Sequence, residues 1–139
     1  ILNSARRLGL SSEDEIYKQS SKRLKEIMQL GTGAVEIKSG YGLTTESELK
    51  MLRVIKRLAE AYPIDIKATF LGAHAFPEPF RDSPDQYVDL ICDEMIPKVA
   101  QADLAEFIDD FFEKGYFTVD QTQRKMERGQ EYGLLTKIH

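Results

Sequence analysis

The chain has 139 residues, 42% of them hydrophobic and 30% charged, with 19 Lys and Arg against 23 Asp and Glu and a formal net charge of -4. That apolar content is enough for one core without disulfides or structural metal, and it excludes a disordered or fibrous chain. No run approaches the roughly 18 apolar residues of a membrane-spanning helix, and no basic stripe exists to follow a phosphate backbone, so neither membrane nor nucleic acid is an expected partner. The one cysteine, Cys92, has no second thiol to pair with, and Ile1 to Arg7 holds no signal-peptide core, so a reduced, cytoplasmic setting is expected.

In chain order, Ser12 and Glu15 form a capping box, and Ile16, Leu24, Ile27 and Met28 follow at helical spacing up to Gly31, which tolerates the left-handed conformation that closes a helix. Ala34 to Ile37 is a short β-prone run that ends in the turn Ser39-Gly40-Tyr41-Gly42. Thr45 and Glu48 make a second capping box ahead of Leu49, Leu52, Ile55 and Leu58, and Pro63 stops that helix. Asp65 to Phe70 alternates as a strand and gives way to a proline-bearing loop from Gly72 to Pro77. Ser83 caps a third helix with Pro84 at its first position, running through Tyr87, Ile91 and Met95 to an end near Pro97. The third strand is placed at Phe107 to Phe112, although Asp109 and Asp110 interrupt its apolar pattern. Thr118 and Gln121 supply a further capping box, the helix passes Met126 to Gly133, and Leu134 to His139 is the last strand.

Four helix-then-strand units in strict alternation imply parallel strands with right-handed crossovers, hence an α/β class with no domain boundary inside residues 1–139. Two architectures suit this pattern: a small open sheet of the flavodoxin type, or part of a (β/α)8 TIM-type barrel. The chain starts inside a helix-to-strand unit and stops on a strand without its covering helix, which makes the partial barrel the expectation. A half barrel would leave sheet edges and an apolar interior uncovered, so a homo-oligomer is a further expectation.

In parallel α/β folds the loops after the strands share one face and carry the site. Tyr41 between two glycines, His74 in Gly72-Ala73-His74 and the terminal His139 all fall there. Each also has a plainer reading: Tyr41 as a plug of the rim, His74 as a loop histidine bonded to nearby carbonyls, His139 as a polar strand end. A histidine at the His74 position would donate to a substrate carbonyl or ring nitrogen, its ordinary pKa near ~6.5 being adjustable at neutral pH. The glycine-rich turn lacks the spacing of a phosphate loop, and no HxH or HExxH motif gives His139 a partner. Glu36 and Lys38 share one side of their strand, as an ion pair or as charged groups of a site. Asp109, Asp110 and Glu113 suit a cation or, more plainly, a solvated edge, and Cys92 reads as a buried inert thiol.

The runs Val35-Glu36-Ile37-Lys38-Ser39-Gly40-Tyr41-Gly42-Leu43, Glu48-Leu49-Lys50-Met51-Leu52-Arg53, Thr69-Phe70-Leu71-Gly72-Ala73-His74-Ala75, Tyr87 to Met95 and Lys137-Ile138-His139 resemble, in the same order, the imidazolonepropionase family of the amidohydrolase superfamily. The resemblance covers nearly the whole chain. It implies a metal-dependent barrel hydrolase that opens the ring amide of 4-imidazolone-5-propanoate, with Tyr41 and His74 as substrate contacts and His139 as a ligand of one divalent ion, zinc or iron. The HxH pair, substrate-binding arginine, general-base glutamate and metal-binding aspartate of that family have no counterpart in this sequence, and Phe112 stands where the family usually has cysteine. The resemblance therefore implies the central part of the enzyme, inactive by itself and without a certain catalytic residue. The alternatives are a hydrolase of another cyclic amide and a non-catalytic α/β binding module.

Overall fold

The computed structural model describes residues 2–139. It opens with α1 (Leu2–Leu10), a helix not expected from the sequence, none of whose residues is buried. Its last carbonyls are gathered by Lys50, whose ammonium donates to Leu8 O at 3.0 Å and Ser11 O at 2.8 Å, placing a cation at the negative end of the helix. The expected capping box starts α2 (Glu13–Gln29): Glu15 N donates to Ser12 Oγ at 3.2 Å and Ser12 N donates back to the Glu15 carboxylate at 2.8 Å. The remaining elements are β1 (Ala34–Lys38), α3 (Thr45–Ala61), β2 (Asp65–Ala73), α4 (Pro84–Leu90), α5 (Ile96–Gln101), β3 (Phe107–Asp110), α6 (Val119–Glu131) and β4 (Leu135–Ile138).

Several boundaries differ from the expected ones for identifiable reasons. The cap of α3 is Thr44, which accepts from Ser47 N, so the pair Thr45 and Glu48 forms no capping box and Glu48 is free for another task. β2 runs on through Gly72 and Ala73 because Ala73 still pairs with Asp110 past an irregularity after Phe70. A side chain at Gly72 would stand 2.4 Å from the Phe70 ring, and Tyr87 Oη donates to the Gly72 carbonyl at 2.9 Å. Ser83 makes no side-chain cap, yet Pro84 does open α4. The third helix does not end at Pro97: a wide π turn over Ile91–Met95 joins α4 to α5, which continues to Gln101. A proline ring normally collides with the carbonyl four residues back, and an extra residue in the preceding turn relieves that collision. β3 stops at Asp110, two residues early, after which Phe111 N donates to Ala73 O and Phe112 N to His139 O.

The sheet is parallel throughout, in the order β1-β2-β3-β4. Sequential order with crossovers of one hand places the connecting helices on one face of the sheet. The sheet has no reversal of direction such as splits a flavodoxin-type sheet into two helical layers. The helix side holds the core, including Leu52, Leu58, Phe70, Tyr87, Ile91 and Ile108. Cys92 is buried there, and burial pushes its thiol pKa up, as suits an inert packing residue.

The opposite face is charged. Glu36 accepts from Thr69 Oγ1 at 2.5 Å and from Lys137 Nζ at 2.9 Å, Lys38 pairs with Asp109, and Lys67 pairs with Glu106. Glu36 and Lys38 thus bond to other strands rather than to each other. The sheet face expected to be apolar carries these charged groups instead, with the Phe107 ring lying under Lys137. Of the acidic group only Glu113 is solvated: Asp109 and Asp110 are both buried, on opposite faces of β3.

Asp110 faces the core and meets Lys125 of α6, whose ammonium donates to Oδ1 at 3.0 Å, lies 2.9 Å from Oδ2 and sits 3.2 Å from the centroid of the Phe117 ring. Neither side chain has exposed surface. Removing one partner of such a pair leaves a buried charge uncompensated, so K125M is expected to lower stability by about 3–5 kcal/mol while K125M/D110L recovers most of the loss, as urea unfolding will measure. Burial also pushes the Lys125 pKa down to about 8 against the pull of Asp110. Between that value and the ordinary 10.5 the unfolded chain binds the proton that the folded chain has released, so this group makes stability rise with pH across the window. K125M is expected to lack that rising limb.

Candidate active site

The turn after β1 is built around Glu48 of α3, a fully buried carboxylate that accepts from Gly40 N at 2.8 Å, Gly42 N at 2.7 Å and Leu43 N at 3.0 Å. Burial pushes the Glu48 pKa up, while the Ser39 hydroxyl and the three backbone N–H groups pull it back. Ser39 ties the same turn to β2, accepting from Leu71 N at 3.0 Å. Gly40 adopts φ +102°, and a side chain there would stand 2.8 Å from Leu71 O and 3.1 Å from His74 Nδ1. The position thus requires glycine on both conformational and steric grounds.

That turn presents Tyr41, which is 41% exposed, and its ring meets the His74 ring edge-on at 4.9 Å between centroids. His74, just past β2, places Nδ1 2.9 Å from the Gly40 carbonyl oxygen. Phe111, the first residue after β3, lies 6.0 Å from the His74 ring on one side and 5.6 Å from the His139 ring on the other. Tyr41, His74, Phe111 and His139 therefore form one aromatic row along the outlets of successive strands. The structure brings the three residues singled out in the sequence to a single rim, and the plainer reading of His74 as a partner of a nearby carbonyl also describes its contact with Gly40.

His139 Nδ1 stands 3.0 Å from Asp109 Oδ2. The same carboxylate takes the Lys38 ammonium, and its Oδ1 accepts from Asp110 N at 2.8 Å. Burial alone would push the Asp109 carboxyl up, but the bonds from Lys38 and His139 outweigh it and hold the pKa below the ordinary aspartate value. With Nδ1 engaged, the Nε2 lone pair of His139 is the atom left to bind a metal, and a carboxylate behind a ligating histidine is the usual support for that arrangement. The fit extends to one ligand position. Among the described residues no group of three His, Cys, Asp or Glu side chains is placed to hold an ion.

Glu48 and Phe111 were not singled out for the site in the sequence: the first looked like a helix cap and the second like a strand residue. Asp109 stood out only within an acidic group suited to a cation or to a solvated edge, with no link to His139. The spacing of Glu48 six residues after Gly42 and eight after Gly40 is the signal that a buried carboxylate closes a glycine turn.

Fold and rim together define a parallel α/β protein with its polar and aromatic groups gathered at the strand outlets, where α/β enzymes carry their chemistry. Along its whole length the chain is similar to imidazolonepropionases: 60% identical over 139 residues to that of Flavobacterium psychrophilum and 60% to that of Flavobacterium johnsoniae, covering 34% of each relative. It is 50% identical over 129 residues, 93% of this chain, to that of Brevibacillus brevis, covering 30% of it. The chain spans about a third of the length of the curated relatives it matches. No protein-family model matches it.

The turn offers a direct check of its geometry. G40A is expected to cost roughly 1–3 kcal/mol for a strained backbone conformation and more for the collision with Leu71 O. G31A, at φ +92° but with open space around it, is expected to pay only the conformational part. Urea unfolding of the two variants side by side separates the contributions.

Proposed function

We propose that this chain is the central segment of an imidazolonepropionase, a metal-dependent hydrolase that adds water across the ring amide C–N bond of 4-imidazolone-5-propanoate to give N-formimino-glutamate in histidine degradation. The observation that carries the reading is the single rim shared by Tyr41, His74 and His139, held there by Glu48 and Asp109. The 60% identity along the chain supports it. Sequential strand order with helices on one face supports a partial (β/α)8 barrel. So does the Lys137–Glu36 contact at 2.9 Å, which joins β4 to β1 across three strand spacings, about 14 Å on a flat sheet. Long side chains converging from a concave face meet more readily than those standing off a flat one.

A divalent ion, zinc or iron, would supply the polarisation of the ring carbonyl and the activation of water at neutral pH. Within this chain His139 would offer Nε2 as one ligand, oriented by Asp109. Tyr41 would donate its phenol proton to oxygen charge that develops as the ring carbon becomes tetrahedral. His74 and Phe111 would fix the plane of the heterocycle. The reading implies a small-molecule substrate and a cytoplasmic location. No helix among the described residues is long and apolar enough to cross a membrane.

The test replaces the matching third of the Flavobacterium psychrophilum relative with this chain. The chimaera is expected to bind metal and open imidazolone propanoate, whereas the isolated 139-residue chain is expected to do neither. H139A should abolish metal retention in elemental analysis, and D109N should weaken metal affinity by about 10–100-fold. A folded, metal-loaded chimaera without hydrolysis would overturn the activity, and full metal retention by H139A would overturn the ligand assignment.

A further inference from the structure

The Gly40 carbonyl can only accept a hydrogen bond, and it lies 2.9 Å from His74 Nδ1. In the neutral ring the proton must then sit on Nδ1, which leaves Nε2 with a lone pair. Among the described residues Nε2 has no hydrogen-bond partner. This changes the chemistry expected of His74: a neutral ring held in this way accepts at Nε2 and donates there only after gaining a second proton.

What keeps the Gly40 carbonyl in place is the turn, and what keeps the turn in place is Glu48. Its two oxygens take the N–H groups of Gly40, Gly42 and Leu43, donors that a tight loop would otherwise leave without partners in a buried setting. The Gly40 N–H is tied to Glu48 and the carbonyl of the same residue is tied to His74. Rotation of the peptide plane before Gly40 would break the charge-assisted hydrogen bond to Glu48, and rotation of the plane after it would break the bond to His74. Glu48 has no exposed surface, so its place in the site is indirect.

We infer that Glu48 is a positioning residue: through Gly40 it sets the tautomer of His74, so that Nε2 stands as an acceptor for a ring N–H of the bound heterocycle. The inference rests on the imidazolone reading for the identity of that N–H donor, and on the geometry alone for the tautomer. It distinguishes a cyclic amide or urea, which carries ring N–H groups, from an ester or lactone, which offers none.

The chain has two histidines, so long-range nitrogen–proton correlation spectra of the histidine-labelled protein resolve both rings. His74 is expected to show a protonated, pyrrole-type Nδ1 and an unprotonated, pyridine-type Nε2, and the Gly40, Gly42 and Leu43 amides are expected to be protected from hydrogen exchange although they lie in a turn. A pyrrole-type Nε2, or rapid exchange of those amides, would overturn the inference. In E48Q the amide group replaces one acceptor oxygen, and His74 is expected to move toward the Nε2-protonated form. A folded E48Q with an unchanged His74 spectrum would overturn it, and if E48Q fails to fold, the wild-type spectrum and exchange rates decide. In the chimaera, hydantoin, a cyclic ureide with ring N–H groups, is expected to shift the His74 Nε2 resonance, and saturation without a shift would overturn the acceptor role. Loss of hydrolysis with the tautomer intact would count against the imidazolone reading and leave the positioning role standing.

Discussion

A carboxylate with no exposed surface costs several kcal/mol to desolvate unless charge and hydrogen bonds replace the lost water, and Asp109 meets that requirement from three directions. Lys38 reaches it from the end of β1 and His139 from the end of β4, while the Asp110 N–H closes the third side. Because β3 lies between β2 and β4, the Lys38 side chain crosses over β2 to arrive. One carboxylate thus binds the ends of strands far apart in sequence to one point beside the rim. The His139 end of the aromatic row is anchored by that tie.

The same strand solves a second electrostatic problem on its other face. Asp109 and Asp110 are adjacent, so the two-residue period of a strand sends them to opposite sides. Each is given its own lysine, Lys38 on the open face and Lys125 among the helices. The Lys125 pair sits under an aromatic ring in the core, where attraction between the partners and desolvation nearly oppose each other. The Lys38 pair sits at a rim that remains half wet, and there the partners hold Asp109 ionised. Ion pairs of the same composition therefore serve different ends, one docking α6 on the sheet and the other preparing a histidine.

Much of the fold was legible because its signals are local. The Ser12 and Thr118 capping boxes, Pro84 at a helix start and the β-prone run after Gly33 each report on a few neighbouring residues. The failures share a different cause. Glu48 matched a capping pattern one residue out of register, and its true partners are backbone groups five to eight residues upstream, which no pattern of side chains records. Pro97 reads as a stop unless the wide turn before it is known. Asp109 and Asp110 argue against a buried strand until Lys38 and Lys125, 71 and 15 residues away, are seen to answer them. Tyr41, His74 and His139 were visible as a group because parallel topology delivers every strand end to the same face, whereas Phe111 became part of the row only when β3 stopped at Asp110.

The two histidines are held by acceptors of different kind. A charged carboxylate stands behind His139. A cation approaching the far nitrogen would draw electron density through the ring, and the negative charge of Asp109 opposes the resulting build-up of positive charge. A neutral carbonyl stands behind His74. The carbonyl fixes direction without adding charge, and it can do so only while Gly40 keeps a backbone conformation that side-chain-bearing residues rarely adopt. The glycine turn and the buried Glu48 are thus the structural cost of an uncharged support, just as the Lys38–Asp109 pair is the structural cost of a charged one.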